Sequence, residues 1–173
     1  MTSFLIKAHE TRAASVWAND DCAFCRIIKN EISSNRVFEN DLVVAILDIL
    51  PLREGHTLVI PKAHFSRLSE LPPEIAGAVG EAVTKVAHAL TLALDNTALN
   101  VVCNQEYAQA VPHVHYHIIP APTFGKQAPR RTAPLNDTEP LTRREMHQRE
   151  FEGRSELDED EAVVLAERIR SKL

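Results

Sequence analysis

The chain has 173 residues, of which 45% are hydrophobic and 25% charged, so it can bury an ordinary core, and disorder throughout is excluded. A formal net charge of -5 argues against a broadly basic nucleic-acid surface. Three cysteines, Cys22, Cys25 and Cys103, are too few for a disulfide framework and favour a reducing compartment. We expect an intracellular protein with no signal peptide, no bilayer-spanning segment and no nucleic-acid or membrane partner.

The first two thirds of the chain alternate between strand and helix patterns. Residues 3–17 favour a helix, and "RVFENDLVVAILDILP" indicates two strands around a turn at Asn40 and Asp41. "GHTLVIPKAH" indicates a third strand. Apolar residues then recur at helical spacing from Pro72 onward, which predicts a long amphipathic helix ending near Asp95.

"LNVVCN" and the histidine-rich stretch after it predict two more strands, joined by a loop at residues 105–109. The fold class is therefore α+β, with an antiparallel sheet of about five strands. We divide the chain into an N-terminal helical segment (1–20), a main domain (21–124) and a polar extension (125–173). The extension is expected to end in a helix that docks through one apolar face, comprising Ala162, Leu165, Ala166 and Ile169.

"PHVHYHIIPAP", residues 112–122, places a histidine at every second position. This is the period of a strand, so His113, His115 and His117 are expected to project to one side of it. Side chains on one face of a strand are about 6.6 Å apart, so His113 and His117 would be about 13 Å apart at their backbones. One metal ion bound by all three is therefore improbable, and different functions are expected.

Two kinds of chemistry remain open for these histidines. A neutral imidazole is a nucleophile toward phosphorus, and a second imidazole can exchange protons with the leaving group. The stretch therefore indicates a phosphate or phosphoramidate site, or else a metal site. "CAFC" at 22–25 has the spacing of half a zinc site, for which His56, His64 and the strand histidines are candidate partners, although two ordinary buried thiols would give the same pattern.

The sequence resembles the histidine triad (HIT) family. "HVHYHIIP" matches the signature of three histidines alternating with apolar residues, and "CAFCRIIKNEI", "VFENDLVVAILDILP" and "GHTLVIPKAH" occur in the family's order. The resemblance implies a HIT-like fold and hydrolysis of a nucleotide of the AMP type. It implies that His115 forms a nucleotidylated intermediate, that His117 contacts the phosphate and assists proton transfer, and that His56 faces the same pocket.

The resemblance also implies binding residues and a metal. Asp48 would accept hydrogen bonds from the ribose, and Asn104 and Gln109 would lie in the phosphate loop. The slot for the base would be formed by Phe24, Ile27, Ile46, Leu47 and Ile49. In family members with CxxC a structural zinc is bound by four residues, which here correspond to Cys22, Cys25, His64 and His113.

The loop "NQEYAQAV" departs from the family pattern. Ala108 stands where glycine is usual, and Ala110 where the phosphoramidase branch commonly has serine. We expect a homodimeric hydrolase of the nucleoside phosphoramidase type. The alternatives are a dinucleoside polyphosphate hydrolase and a nucleotide-binding scaffold without activity.

The final tripeptide allows two interpretations. Ser171, Lys172 and Leu173 match the peroxisomal address of eukaryotic chains. Alternatively, Leu173 continues the apolar spacing of the last helix and packs with it. The expected compartment is cytoplasmic or nuclear, or peroxisomal if the tripeptide is exposed in a eukaryote.

Overall fold

The computed structural model describes residues 22–122 and 154–173. The elements in chain order are α1 (Ala23–Ile28), β1 (Arg36–Glu39), β2 (Val43–Leu47), β3 (Thr57–Pro61), a 3-10 turn (Leu68–Glu70), α2 (Pro73–Leu94), β4 (Leu99–Cys103), β5 (Tyr116–Pro120) and α3 (Glu159–Arg170). The helix expected at 3–17 lies outside the described residues.

The five strands form one antiparallel sheet in the order β1-β2-β3-β5-β4, which confirms the predicted α+β class. The turn between β1 and β2 forms because Asn40 Oδ1 accepts the N–H groups of Leu42 and Val43, at 3.0 and 2.7 Å. The helix α2 begins at Pro73, where a missing N–H costs nothing, and ends at Asp95 in the left-handed conformation (φ 50°).

Both faces of the sheet are buried, so its central strands are apolar at consecutive positions. One face, with Val43, Ala45, Leu47, Val59 and Ile118, packs against α2 and α3. The other face carries Val44, Ile46, Leu58 and Ile60 and is partly covered by Cys22 and Phe24 at α1. This second face is the one that carries the candidate site.

The histidine strand is shorter than predicted. β5 begins at Tyr116, so His117 lies in the strand while His113 and His115 precede it. Backbone groups just before the strand are used elsewhere: the N–H of His113 donates to Val111 and that of Val114 donates to Phe65. The predicted loop 105–109 is therefore longer, because the chain rejoins the sheet only at Tyr116. The two-faced pattern does hold, since Tyr116 and Ile118 pack on the opposite side, with α2.

The last helix docks on the sheet as predicted. Its buried face consists of Ala162, Leu165, Ala166 and Ile169, and it contacts α2 and β1. The helix ends at Arg170 and Leu173 is 50% exposed, so Leu173 does not extend the buried face. In the described part of the chain, no helix has the length and apolar content needed to cross a membrane.

Candidate active site and metal cluster

A row of side chains across the sheet forms the floor of a pocket. The strand register places Ile46 beside Leu58, Leu58 beside His117, and His117 beside Val102. All four line a pocket of about 770 Å³, a volume within the range of small-molecule sites. The register therefore sets the histidine among apolar neighbours on the face away from α2.

The pocket gathers every residue predicted to act in catalysis or nucleotide binding. His56, His115 and His117 line it, together with Asp48 at the end of β2. The remaining predicted members also line it, namely Phe24, Ile27, Ile46, Leu47, Ile49, Asn104 and Gln109. Residues from five separate stretches of sequence thus meet in one cavity, while their individual roles remain predictions.

The ring of His115 is oriented by a hydrogen bond to the backbone two residues earlier. Its Nδ1 lies 2.7 Å from the carbonyl oxygen of His113, which can only accept, so Nδ1 carries the proton. The ring is buried, and burial lowers its pKa below the ordinary value. Neutral His115 therefore has an unprotonated Nε2, the nitrogen that a nucleophile requires.

His56 and His117 form a hydrogen-bonded chain with a defined direction. The N–H of Leu52 donates to His56 Nδ1 at 3.1 Å, so neutral His56 carries its proton on Nε2. This Nε2 lies 3.0 Å from His117 Nδ1, which must then accept. Neutral His117 is left with its proton on Nε2, as a donor toward the pocket.

Burial keeps the hydrogen-bonded pair of His56 and His117 uncharged. It lowers the pKa of His56 to about 3, with a further contribution from His117, and the pKa of His117 to about 4, with a further contribution from His115. Asp48 Oδ2 lies 3.3 Å from His56 Nδ1, and because this ring is neutral the contact is not an ion pair. The other oxygen of Asp48 accepts the N–H of Leu50 at 2.9 Å.

Gly55 supports this arrangement at the turn before His56. Its φ of 83° lies in the left-handed region, and a Cβ there would come within 2.6 Å of Leu94 Cδ1. A larger residue would therefore strain the backbone next to the histidine and press on the end of α2.

A second cluster of donors lies beside the pocket. The ligand atoms of Cys22, Cys25, His64 and His113 all lie within 4.8 Å of one another. His113 Nδ1 is 3.4 Å from Cys22 Sγ, and His64 Nδ1 is 3.3 Å from Cys25 Sγ. A tetrahedral ion with bonds of about 2.3 Å to sulfur and 2.05 Å to nitrogen would separate these atoms by about 3.6 Å. The four residues predicted as ligands can therefore hold one metal ion.

The outer atoms of the cluster are also arranged for metal binding. His113 Nε2 lies 2.8 Å from the carbonyl oxygen of Pro61, and His64 Nε2 lies 3.4 Å from Ser66 Oγ. Such contacts orient metal-binding histidines and fix the tautomer. Phe24 joins the two regions, because its ring makes edge contacts with both His113 and His115.

Asp48, His56 and His117 also come close enough to hold an ion. Here, however, the lone pair of His56 Nδ1 accepts the Leu52 N–H, and the two rings are joined directly to each other. The arrangement of this group favours proton transfer over metal binding.

The loop at 104–110 is strained and tied down. Glu106 and Ala108 both have φ of 59°, in the left-handed region. Gln109 holds the loop by accepting the N–H of Glu106 at 2.7 Å and donating to the carbonyl of Ser66 at 3.0 Å. The backbone conformation that glycine would suit at Ala108 is thus imposed by surrounding contacts.

Part of the pocket wall was missed by sequence reasoning. Arg154, Glu156, Leu157 and Glu159 line the cavity from the C-terminal extension. Their stretch is polar and lacks periodicity before α3, so no pattern in it points to a binding site. The only available signal was that the following helix docks on the sheet.

A family model described as the HIT domain matches residues 29–123. The adenylylsulfatase HINT3 of Arabidopsis thaliana is 38% identical over 103 residues, which cover 58% of this chain and 52% of the relative. The adenosine 5'-monophosphoramidase HNT1 of Saccharomyces cerevisiae is 41% identical over 100 residues, covering 57% of this chain and 61% of the relative. The matched region thus spans about half to three fifths of the length of these two relatives.

The fold also matches solved structures. A Zn-bound histidine triad family protein from Mycobacterium smegmatis superposes with a TM-score of 0.65 and 25% identity, covering 88% of this chain and 92% of that protein. This match covers a larger share of the chain than the family model does.

Proposed function

The chain belongs to the HIT family, and from this premise we propose that it is a nucleotide hydrolase that cleaves nucleoside phosphoramidates or related nucleotidyl substrates. One observation carries the proposal: the hydrogen bonds leave His115 with an unprotonated Nε2 and His117 with a protonated one, side by side in a single pocket. A nucleophile and a proton donor are the two groups that this reaction needs.

The reaction proceeds in two steps. His115 Nε2 forms a bond to the α-phosphorus while the bond from phosphorus to the leaving group breaks. One proton from solvent enters the His56–His117 pair with the anionic substrate, so His117 gives its Nε2 proton to the leaving group and is left as a neutral imidazole. Water then attacks the phosphorus, the bond to His115 breaks, and the proton of that water returns through His117. His56 keeps His117 in the donating tautomer by donating to its Nδ1. The products are a nucleoside monophosphate and the protonated leaving group.

The nucleotide is held by the two ends of the pocket. Asp48 accepts the ribose hydroxyls, and the buried apolar side chains near α1 and β2, such as Phe24 and Ile46, receive a purine base. Asn104 and Gln109 place the loop against the phosphate. Residues 21–124 form the catalytic domain, and the described end of the extension, from Arg154 onward, completes the pocket.

Zinc is the metal proposed for the second cluster. Two thiolates and two imidazoles in tetrahedral spacing are the preferred set for this ion, and the M. smegmatis neighbour is Zn-bound. Four protein ligands would close the coordination sphere, so a bound ion would supply stability and no chemistry. By fixing His113, the cluster orients the carbonyl that accepts the His115 proton.

A homodimer is proposed from the edge of the sheet. β4 is an edge strand with Val101 40% exposed, and Leu92 on α2 is 52% exposed. An exposed apolar edge strand is a surface that proteins normally cover. Light scattering of the purified protein should give twice the chain mass, and a monomer at micromolar concentration would contradict the proposal.

A substrate panel tests the proposed reaction. Adenosine phosphoramidate, adenylyl sulfate and diadenosine tri- and tetraphosphate are compared by release of AMP at equal concentration. The highest kcat/KM is expected for the phosphoramidate. A dinucleoside polyphosphate as the best substrate would support the alternative hydrolase, and binding of AMP without turnover of any substrate would support the non-enzymatic scaffold.

A further inference from the structure

The charges around the pocket are poorly matched to an anionic ligand. Among the described residues that line it, the carboxylates are Asp48, Glu106, Glu156 and Glu159, and of these Glu106 forms an ion pair with Arg67. His56 and His117 are neutral at physiological pH, because burial lowers their pKa values to about 3 and about 4. A nucleotide phosphate entering this pocket therefore needs a cation from another side chain.

Arg154 is the only arginine or lysine among these described lining residues. Burial lowers its pKa from the ordinary value, and the carboxylate of Asp48 raises it. A guanidinium nevertheless stays protonated in proteins. Arg154 is thus the permanent positive charge of the described pocket wall.

Two contacts just after Arg154 hold its segment against the rest of the protein. The N–H of Leu157 donates to the carbonyl of Ile49 at 2.9 Å, directly beside Asp48. Asp158 then caps α3 by accepting the N–H groups of Asp160 and Glu161. Because α3 is buried along one face, the segment is held against the pocket three residues beyond Arg154.

Arg154 lines the same pocket as Asp48, His56 and His117. Its charge acts on Asp48, His56 and His117, lowering the pKa of each. The guanidinium is therefore placed near the proton donor, where a phosphate and its leaving group would lie.

We propose that Arg154 binds the phosphate of the nucleotide, so that the C-terminal extension supplies the cationic part of the active site. A guanidinium presents a planar pair of N–H groups that match two phosphate oxygens. The charge of the substrate is then balanced by a residue outside the catalytic domain. The identity of the ligand rests on the proposed function, but the charge requirement comes from the pocket itself.

Binding measurements on the full chain separate phosphate recognition from catalysis. Affinities for AMP and for adenosine are measured by calorimetry at constant ionic strength, in wild type, Arg154→Gln and Arg154→Lys. Arg168→Gln is the matched control, since Arg168 lies on the same extension but donates to exposed Glu54. Thermal midpoints of all variants show that the fold is retained.

Arg154→Gln should weaken AMP binding by about tenfold to hundredfold, because a hydrogen bond to a charged group is lost, and should change adenosine binding by less than about twofold. The AMP affinity of Arg154→Lys should lie between those of wild type and Arg154→Gln. Lysine keeps the positive charge but lacks the planar pair of N–H groups. The proposal is overturned if Arg154→Gln binds AMP as wild type does, if AMP and adenosine weaken equally, or if wild type shows no preference for AMP.

Turnover is measured separately on the same preparations. If wild type hydrolyses no nucleotidyl substrate, the proposed function fails, while the comparison of AMP with adenosine still decides the role of Arg154. If wild type is active, Arg154→Gln should raise KM for the phosphoramidate, and Arg168→Gln should leave it unchanged.

Discussion

Two groups of histidines lie side by side in this protein and are built in opposite ways. In the metal cluster, His64 and His113 turn their Nδ1 atoms toward two thiols, and all four ligand atoms converge on one point. In the pocket, His56 and His117 point at each other in a line, and His115 keeps Nε2 unprotonated. One arrangement closes around an ion, and the other leaves a donor and an acceptor open to a ligand.

The partner of the second ring nitrogen determines what each histidine can do. His113 and His115 are two residues apart, yet one ring is anchored to the carbonyl of Pro61 and the other to the carbonyl of His113. A carbonyl on Nε2 turns Nδ1 toward a metal, whereas a carbonyl on Nδ1 leaves Nε2 as a nucleophile.

The largest expected effect is the loss of the nucleophile. His115→Ala should lower kcat by at least about 10⁴-fold while AMP still binds, because only the group that attacks phosphorus is removed. Steady-state kinetics and calorimetry measure the two quantities. Residual activity within about tenfold of wild type would mean that another group attacks.

Loss of a residue from the metal cluster should lower the stability of the protein more than its affinity for nucleotide. Cys22→Ser should reduce metal content from about one ion per chain and lower the free energy of unfolding by about 3 kcal/mol or more, because structural zinc contributes directly to folding. Elemental analysis and denaturant titration measure the change.

Cys103→Ser is the matched control for this prediction. Cys103 is a half-buried thiol on β4, outside the cluster, so its substitution should leave the metal content unchanged. Equal metal content in Cys22→Ser and wild type would remove Cys22 from the ligand set.

Acid should destabilise the protein through the pocket histidines. Their folded pKa values are lowered, so the unfolded chain binds protons first, and stability is lost as pH falls from about 6.5 toward 4. For His117, a drop from 6.5 to about 4 corresponds to on the order of 3 kcal/mol.

The matched variant is His117→Asn, which keeps the metal cluster intact. Its stability should fall less steeply than that of wild type over the same pH range. Parallel curves for wild type and His117→Asn would show that His117 is not held neutral by the fold.

The smallest effect is expected in the loop at residues 104–110. Ala108→Gly should stabilise the protein by up to about 1 kcal/mol, because relief of the left-handed strain at φ 59° exceeds the added freedom of the unfolded chain. Ala110→Gly lacks that strain and should be neutral or slightly destabilising. Thermal unfolding compares the two, and equal shifts would mean that Ala108 is not strained.

Much of the fold could be predicted because its signals are local. The consecutive apolar residues of β2 and β3, the Asn40 turn and the proline start of α2 each depend on neighbouring residues. The ligand set of the metal cluster is different, since "CAFC" by spacing alone left several histidines as partners. The resemblance to a family supplied His64 and His113.

The remaining features depend on contacts between distant segments. β5 begins late because Val114 bonds to Phe65, and the tautomer of His56 is determined by Leu52; no pattern in the histidine stretch encodes either. Arg154 reaches the pocket only because α3 docks on the sheet more than thirty residues after β5 ends. Such contacts follow from tertiary packing and are invisible to periodicity.

Intact-mass spectrometry shows whether His115 is the nucleophile and His117 the proton donor. Adenosine phosphoramidate is mixed with wild type, His115→Ala and His117→Ala, the reaction is quenched within milliseconds to seconds, and intact mass is measured. We predict a transient adenylylated chain in wild type, a longer-lived adduct in His117→Ala located on His115 by peptide mapping, and no adduct in His115→Ala. An adduct that persists in His115→Ala, or that maps to another residue, would show that His115 is not the nucleophile.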